Sequence, residues 1–67
     1  MKRIKLKIRR IQKGLSQKEL AKCAGITSQA ISNYENGRLN PSYEVMKLIS
    51  IELDAPVDEL FFDENQN

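Results

Sequence analysis

Histidine and tryptophan do not occur in this sequence, and cysteine occurs once, at Cys23. Without histidine there is no Cys/His metal cluster and no imidazole to activate a nucleophile, so the usual catalytic and zinc-dependent constellations cannot be assembled. A single thiol cannot close an internal disulfide, which fits a reducing compartment such as the cytoplasm. No apolar run approaches the roughly 18 residues of a membrane span, and the charged start lacks the apolar core of a signal peptide. A cytoplasmic protein without membrane contact is expected. Tyr34, Tyr43, Phe61 and Phe62 are the only aromatics, too few for the stacking platforms that bind single-stranded nucleic acid. A glycine-rich phosphate loop, internal repeats and low-complexity linkers are also missing. No enzyme activity, cofactor or metal is expected, and with no separate ligand domain, neither is a small-molecule ligand.

What remains is one small domain, residues 1–67. Such a chain has room for a core of about a dozen side chains and is only marginally stable alone, so oligomerisation is expected. Hydrophobic residues make up 40% and charged residues 30%, which suits a globular chain rather than a disordered one. The charge is unevenly placed. Residues 1–22 carry nine Lys and Arg against Glu19 alone, a balance of +8, while residues 48–67 carry six acids and no base, a balance of −6. A basic half suits a polyanion such as nucleic acid, with the acidic half turned away or serving another contact.

Five helices and no strand are expected. Residues 4–13 form the first, with Gly14 as its stop. Ile4, Ile8 and Ile11 share one helical stripe there, whereas Leu6 lies nearly opposite, and the segment also alternates as a short strand would. Ser16 and Glu19 are spaced as a capping box, which starts helix two at Gln17. Leu20, Ala21 and Ala24 give it an apolar stripe, and Gly25 ends it. Thr27 or Ser28 caps helix three, on which Ala30, Ile31 and Tyr34 face inward until Asn36 and Gly37 stop it. After Asn40 and Pro41, Ser42 caps a fourth helix with Val45, Met46, Leu48, Ile49 and Leu53 on its buried side. The fifth helix follows with Pro56 in its first turn and Asp58 and Glu59 near its positive end. Residues 63–67 are expected to be disordered.

Two short helices joined through Gly25, with small Ala21 at their approach, form a helix-turn-helix over about residues 17–36. The outward face of helix three then carries Ser28, Gln29, Ser32 and Asn33. These side chains donate and accept hydrogen bonds, as reading base edges in a major groove requires, and Gln and Asn can bind adenine in a bidentate way.

The stretch GLSQKELAKCAGITSQAISNYENGRLNPS, followed by an apolar helix and VDELF, resembles the Cro and repressor type of helix-turn-helix protein, the lambda-repressor-like fold of phage and bacterial transcription regulators. The likeness covers nearly the whole chain. It implies a compact all-α domain of five helices with the helix-turn-helix at helices two and three, binding double-stranded operator DNA as a homodimer and acting as a repressor. Carried over by residue, it makes Ser28, Gln29, Ser32 and Asn33 base-contacting, and Gln17, Lys18, Asn36 and Arg38 phosphate-contacting. It further implies a structural ion pair between Arg10 and Glu35. The adjacent Phe61 and Phe62 offer more apolar surface than one small core can cover, and so are expected at the dimer interface.

The chain departs from that pattern at three places. Arg9 stands where an apolar residue is usual, Asp54 where Gly is frequent, and Pro56 where a small or apolar residue is common. With Arg9 charged, Ile8 and Ile11 are expected to be partly exposed, open to a partner. The alternative function is a protein-interaction module of the same fold, antitoxin-like or an adaptor. The +8 first third argues against it, since an adaptor has no need of that charge.

Overall fold

The computed structural model describes residues 2–62, so the expected disordered tail, 63–67, lies outside the described residues. Five helices and no strand occur among them: α1 (Ile4–Gln12), α2 (Gln17–Ala24), α3 (Ser28–Glu35), α4 (Tyr43–Leu53) and α5 (Val57–Phe61). The architecture is all-α. Helix α2 packs on α3 and α4, α1 on α5 and α3, and α4 on α5.

Local sequence accounts for most of the boundaries. Ser16 Oγ accepts from the Glu19 N–H at 3.0 Å, and Glu19 Oε1 accepts from the Ser16 N–H at 2.8 Å. These contacts hold the Glu19 carboxyl below its ordinary pKa. Because the folded value is depressed, the cap supports α2 at neutral pH and is lost as pH falls through the carboxylate range. Thr27, not Ser28, caps α3, accepting from the Ala30 N–H, and Ser42 caps α4.

Four helix ends share one device. After α1, α2 and α3 a glycine takes a left-handed conformation, at Gly14, Gly25 and Gly37, and the next residue's N–H reaches back to a carbonyl in the last turn. Leu15 N–H donates to Arg10 O, Ile26 N–H to Ala21 O and Arg38 N–H to Asn33 O. This is the Schellman stop. The fourth instance, after α4, places Asp54 in the left-handed region at φ 52°, with Ala55 N–H donating to Ser50 O. A β-carbon is unfavourable in that conformation, and a carboxylate opposes the negative end of the helix. Asp54→Gly is therefore expected to stabilise the fold by about 0.5–1 kcal/mol, read as a raised midpoint in urea. An unchanged or lowered midpoint would contradict it.

Each helix contributes to one core. Leu6, Leu20, Ile31, Ile49, Leu53 and Leu60 are completely buried, joined by Ala21, Ala24, Tyr34, Met46, Ala55 and Phe61. Burying a leucine or isoleucine fully stabilises by about 1.5–3 kcal/mol. The buried face of α1 is Leu6 with Arg10, while Ile4, Ile8 and Ile11 are exposed, which settles the ambiguous register and agrees with the exposure expected of Ile8 and Ile11. Three expectations are corrected here. Leu48 lies outside the core, with 46% of its surface exposed, because Met46, Ile49 and Leu53 complete the inner side of α4. Pro56 is the cap before α5 rather than part of its first turn. Helix α1 ends at Gln12, one residue early.

Arg9, a departure from the family pattern, and Arg3, counted only as basic charge, are both fasteners. Arg9 Nε meets Glu59 Oε2 at 3.2 Å, joining α1 to α5, which is how a charged residue is accommodated at that position. The Arg3 N–H donates to Glu35 O at 2.8 Å, and its Nη1 donates to Tyr34 O at 2.7 Å and Leu39 O at 2.9 Å. Its Nη2 donates to Asn40 Oδ1, and the guanidinium lies 5.8 Å from the centre of the Phe61 ring. Partial burial lowers the Arg3 pKa from its ordinary value.

Candidate functional site

Helices α2 and α3 are held close because Ala21, 2% exposed, leaves no bulk between them, and the Gly25 stop turns the chain into the Thr27 cap. With Ile31 and Tyr34 anchored in the core and Ala30 packed against it, the opposite side of α3 must face outward. Ser28 and Gln29 are exposed, and Ser32 and Asn33 are half-exposed on that side. Among the described residues, neither Gln29 nor Asn33 uses its side-chain amide within the fold. The Ser32 hydroxyl is partly occupied. Asn36 folds back over the last turn of α3, its Nδ2 donating to Ser32 O at 2.9 Å and to Ser32 Oγ at 3.4 Å.

The outer end of α3 is fixed from behind. Arg10 Nε lies 2.6 Å from Glu35 Oε2 and its Nη2 3.4 Å from Glu35 Oε1, and both side chains are almost fully buried. Arg10 Nη1 donates to Leu15 O at 2.8 Å, and Gln17 Nε2 donates to Glu35 Oε1 at 3.2 Å. The residue that opens α2 is thereby tied to the residue that closes α3. Gln17 is half-buried in this network, whereas Lys18, Asn36 and Arg38 are exposed around it. No side-chain polar atom among the described residues is buried without a partner.

The structure separates the two phenylalanines. Phe61 is 6% exposed and belongs to the core, leaving it no surface for a partner, while Phe62 is 58% exposed. The expectation that Phe61 lies at an interface is corrected accordingly. Arg3, which anchors the end of α3 and the following loop, was not singled out by sequence reasoning. Its signal is purely tertiary, since its partners lie more than 30 residues away.

Other reactive groups carry little chemistry. Cys23 is exposed on α2, and desolvation together with the Glu52 carboxylate pushes its pKa up, toward the less reactive thiol. Among the described residues no group of three His, Cys, Asp or Glu is placed to hold a metal, and no helix is long and apolar enough to cross a membrane.

The family described as Helix-turn-helix matches residues 6–60. Among solved structures, the restriction-modification controller protein C.AhdI from Aeromonas hydrophila is 33% identical, with 85% of this chain and 86% of that chain covered and a TM-score of 0.75. The N-terminal DNA-binding domain of the master biofilm regulator SinR from Bacillus subtilis is 34% identical, with 100% and 97% covered and a TM-score of 0.75. The clp gene regulator ClgR from C. glutamicum is 29% identical over 82% of this chain and 71% of that one, with a TM-score of 0.71. No match is found among the curated proteins.

Proposed function

The chain belongs to this XRE-type helix-turn-helix family, whose members are DNA-binding transcription regulators rather than enzymes, and from that premise we propose that it is a repressor that reads operator DNA with α3. The observation that carries the reading is the outer face of α3, where Gln29 and Asn33 hold unused amides on a helix anchored from behind by Ile31, Tyr34 and Glu35. A rigidly seated helix with bidentate groups on its free side can discriminate base edges. Ser28 and Ser32 add shorter contacts. Gln17, Lys18, Asn36 and Arg38 flank that face and meet the sugar-phosphate backbone, setting register without reading sequence.

The working species in this proposal is a homodimer in the cytoplasm. The described domain measures 27 × 21 × 20 Å, so one copy cannot reach two successive major grooves, which lie about 34–36 Å apart. Phe62 and Ile51, 58% and 75% exposed at the α4 and α5 end, offer apolar area for the second copy. A twofold assembly through them demands a near-palindromic site.

Selection from random duplexes followed by competition with point-mutated sites tests both levels. The selected site is expected to hold two half-sites one turn apart. Gln29→Ala should cost about 1–3 kcal/mol on that site and relax preference at one position per half-site, whereas Arg38→Ala should weaken all sequences alike. Equal losses from both variants on every sequence would mean that α3 is not the reader.

A further inference from the structure

Beside the proposed interface lies a hollow of about 380 Å³, between the first turn of α1, the start of α2 and the end of α3. Lys2, Ile4 and Lys7 form one wall, and Gln17 and Asn36 the other. We propose that this hollow seats a further backbone phosphate of the bound duplex, held by Lys7 and Lys2, so that α1 extends the DNA footprint beyond the helix-turn-helix. The inference rests on α3 being the DNA-reading helix.

Position supports it first. Gln17 and Asn36 belong both to the hollow and to the flank of the α3 face, so a strand running along that flank passes its mouth. Charge supports it next. Arg3 also borders the hollow, but its guanidinium is engaged by Tyr34 O, Leu39 O and Asn40. Lys2 and Lys7 are exposed and, among the described residues, have no internal partner. The one carboxylate bordering the space, Glu35, is covered by Arg10 and by the Gln17 amide, so the rim that faces outward is positive. Helix α1 also begins with no acid in its first turn and no side-chain cap. The positive end of the helix therefore adds to the lysines instead of being quenched. A lysine suits this role as a mobile point charge, where no fixed bidentate geometry is required.

A methylphosphonate scan of the selected duplex, with one backbone charge removed at a time, tests the proposal. Wild-type protein should lose affinity when a phosphate just outside those sensed by Gln17 is neutralised. Lys7→Gln should be indifferent to that same replacement, and Lys2→Gln partly so. Lys7→Gln should also flatten the salt dependence by one contact per subunit, a slope change of about 1.8 for the bound dimer, or about tenfold in affinity between 50 and 200 mM salt. Lys13→Gln, at the far end of α1, serves as the control and should retain both behaviours. Circular dichroism confirms that each exposed-lysine variant is folded. Equal effects of Lys7→Gln and Lys13→Gln, with no phosphate losing its influence, would overturn the proposal. So would chemical-shift changes at Ile4 and Lys7 with pyrophosphate alone and none with duplex, which would make the hollow a seat for free phosphate. If Gln29→Ala leaves base preference intact while the Lys7 signature persists, α3 as reader fails and the phosphate seat stands. A wild-type protein that binds no duplex overturns both.

Discussion

Glu35→Ala is expected to destabilise the protein by about 3–5 kcal/mol, the loss typical of breaking a buried ion pair from one side. Arg10 would be left nearly buried without its counterion, its guanidinium retaining only the Leu15 carbonyl, and Gln17 would lose its acceptor. A 67-residue domain holds only about 3–10 kcal/mol in total at 0.05–0.15 kcal/mol per residue. The variant should therefore lose a large part of its stability, read as a urea midpoint shifted far down. Replacing both members by apolar residues of similar volume, Arg10→Met with Glu35→Leu, should recover most of the loss, because it is the stranded charge that costs. Urea titrations of Arg10→Met, Glu35→Leu and the double variant give the coupling directly. A loss below about 1 kcal/mol, the range of an exposed pair, or additive effects in the double variant, would place the pair among surface interactions. Function follows stability here, since Glu35 closes α3 and Asn36 and Arg38 hang from that end.

DNA affinity is expected to fall by about a thousandfold or more between 50 and 200 mM salt, the loss that accompanies six or more phosphate contacts. The structure narrows which cations act. Arg3, Arg9 and Arg10 are taken up by Tyr34, Leu39 and Asn40, by Glu59, and by Glu35. Lys2, Lys7, Lys13, Lys18, Lys22, Lys47 and Arg38 are exposed. With Lys2, Lys7, Lys18 and Arg38 exposed near one face, two subunits have enough positive groups to reach that number. Of the described acids, Glu52, Asp54 and Asp58 sit on or after α4 and α5, outside the α2 and α3 elements of the proposed reading face. Fluorescence anisotropy of a labelled duplex across a salt series should give a log–log slope of about −5 or steeper. A flat line would mean that the basic N-terminal third does not meet a polyanion, and would favour a protein partner instead.

Much of the helix-turn-helix was legible in the sequence because its determinants are local. The Ser16 and Glu19 box, the Thr27 and Ser42 caps and the stops at Gly14, Gly25 and Gly37 each involve residues within one turn of each other. A chain met as a string shows such spacing directly. The outward polar face of α3 was legible for the same reason. Once Ile31 and Tyr34 are inside, the 3.6-residue period leaves Ser28, Gln29, Ser32 and Asn33 outside.

What the tertiary structure alone decided concerns residues whose energy depends on partners far along the chain. Three isoleucines outweigh one leucine on a helical wheel, yet α1 buries Leu6 with Arg10, because Glu35, 25 residues away, neutralises the arginine and makes that side of the helix fit the core. Phe61 and Phe62 are equally apolar neighbours. Which ring turns inward is settled by where α5 lies against α1 and α4, with Arg3 approaching one of them. Sequence could therefore determine where helices begin and end and which face of α3 is polar, both short-range properties of the backbone and its period. Periodicity alone could not determine which of several apolar or basic side chains become internal, and it took the family resemblance to single out Arg10 with Glu35, since burial of a charge or a ring is favourable only after a distant partner has been brought to it.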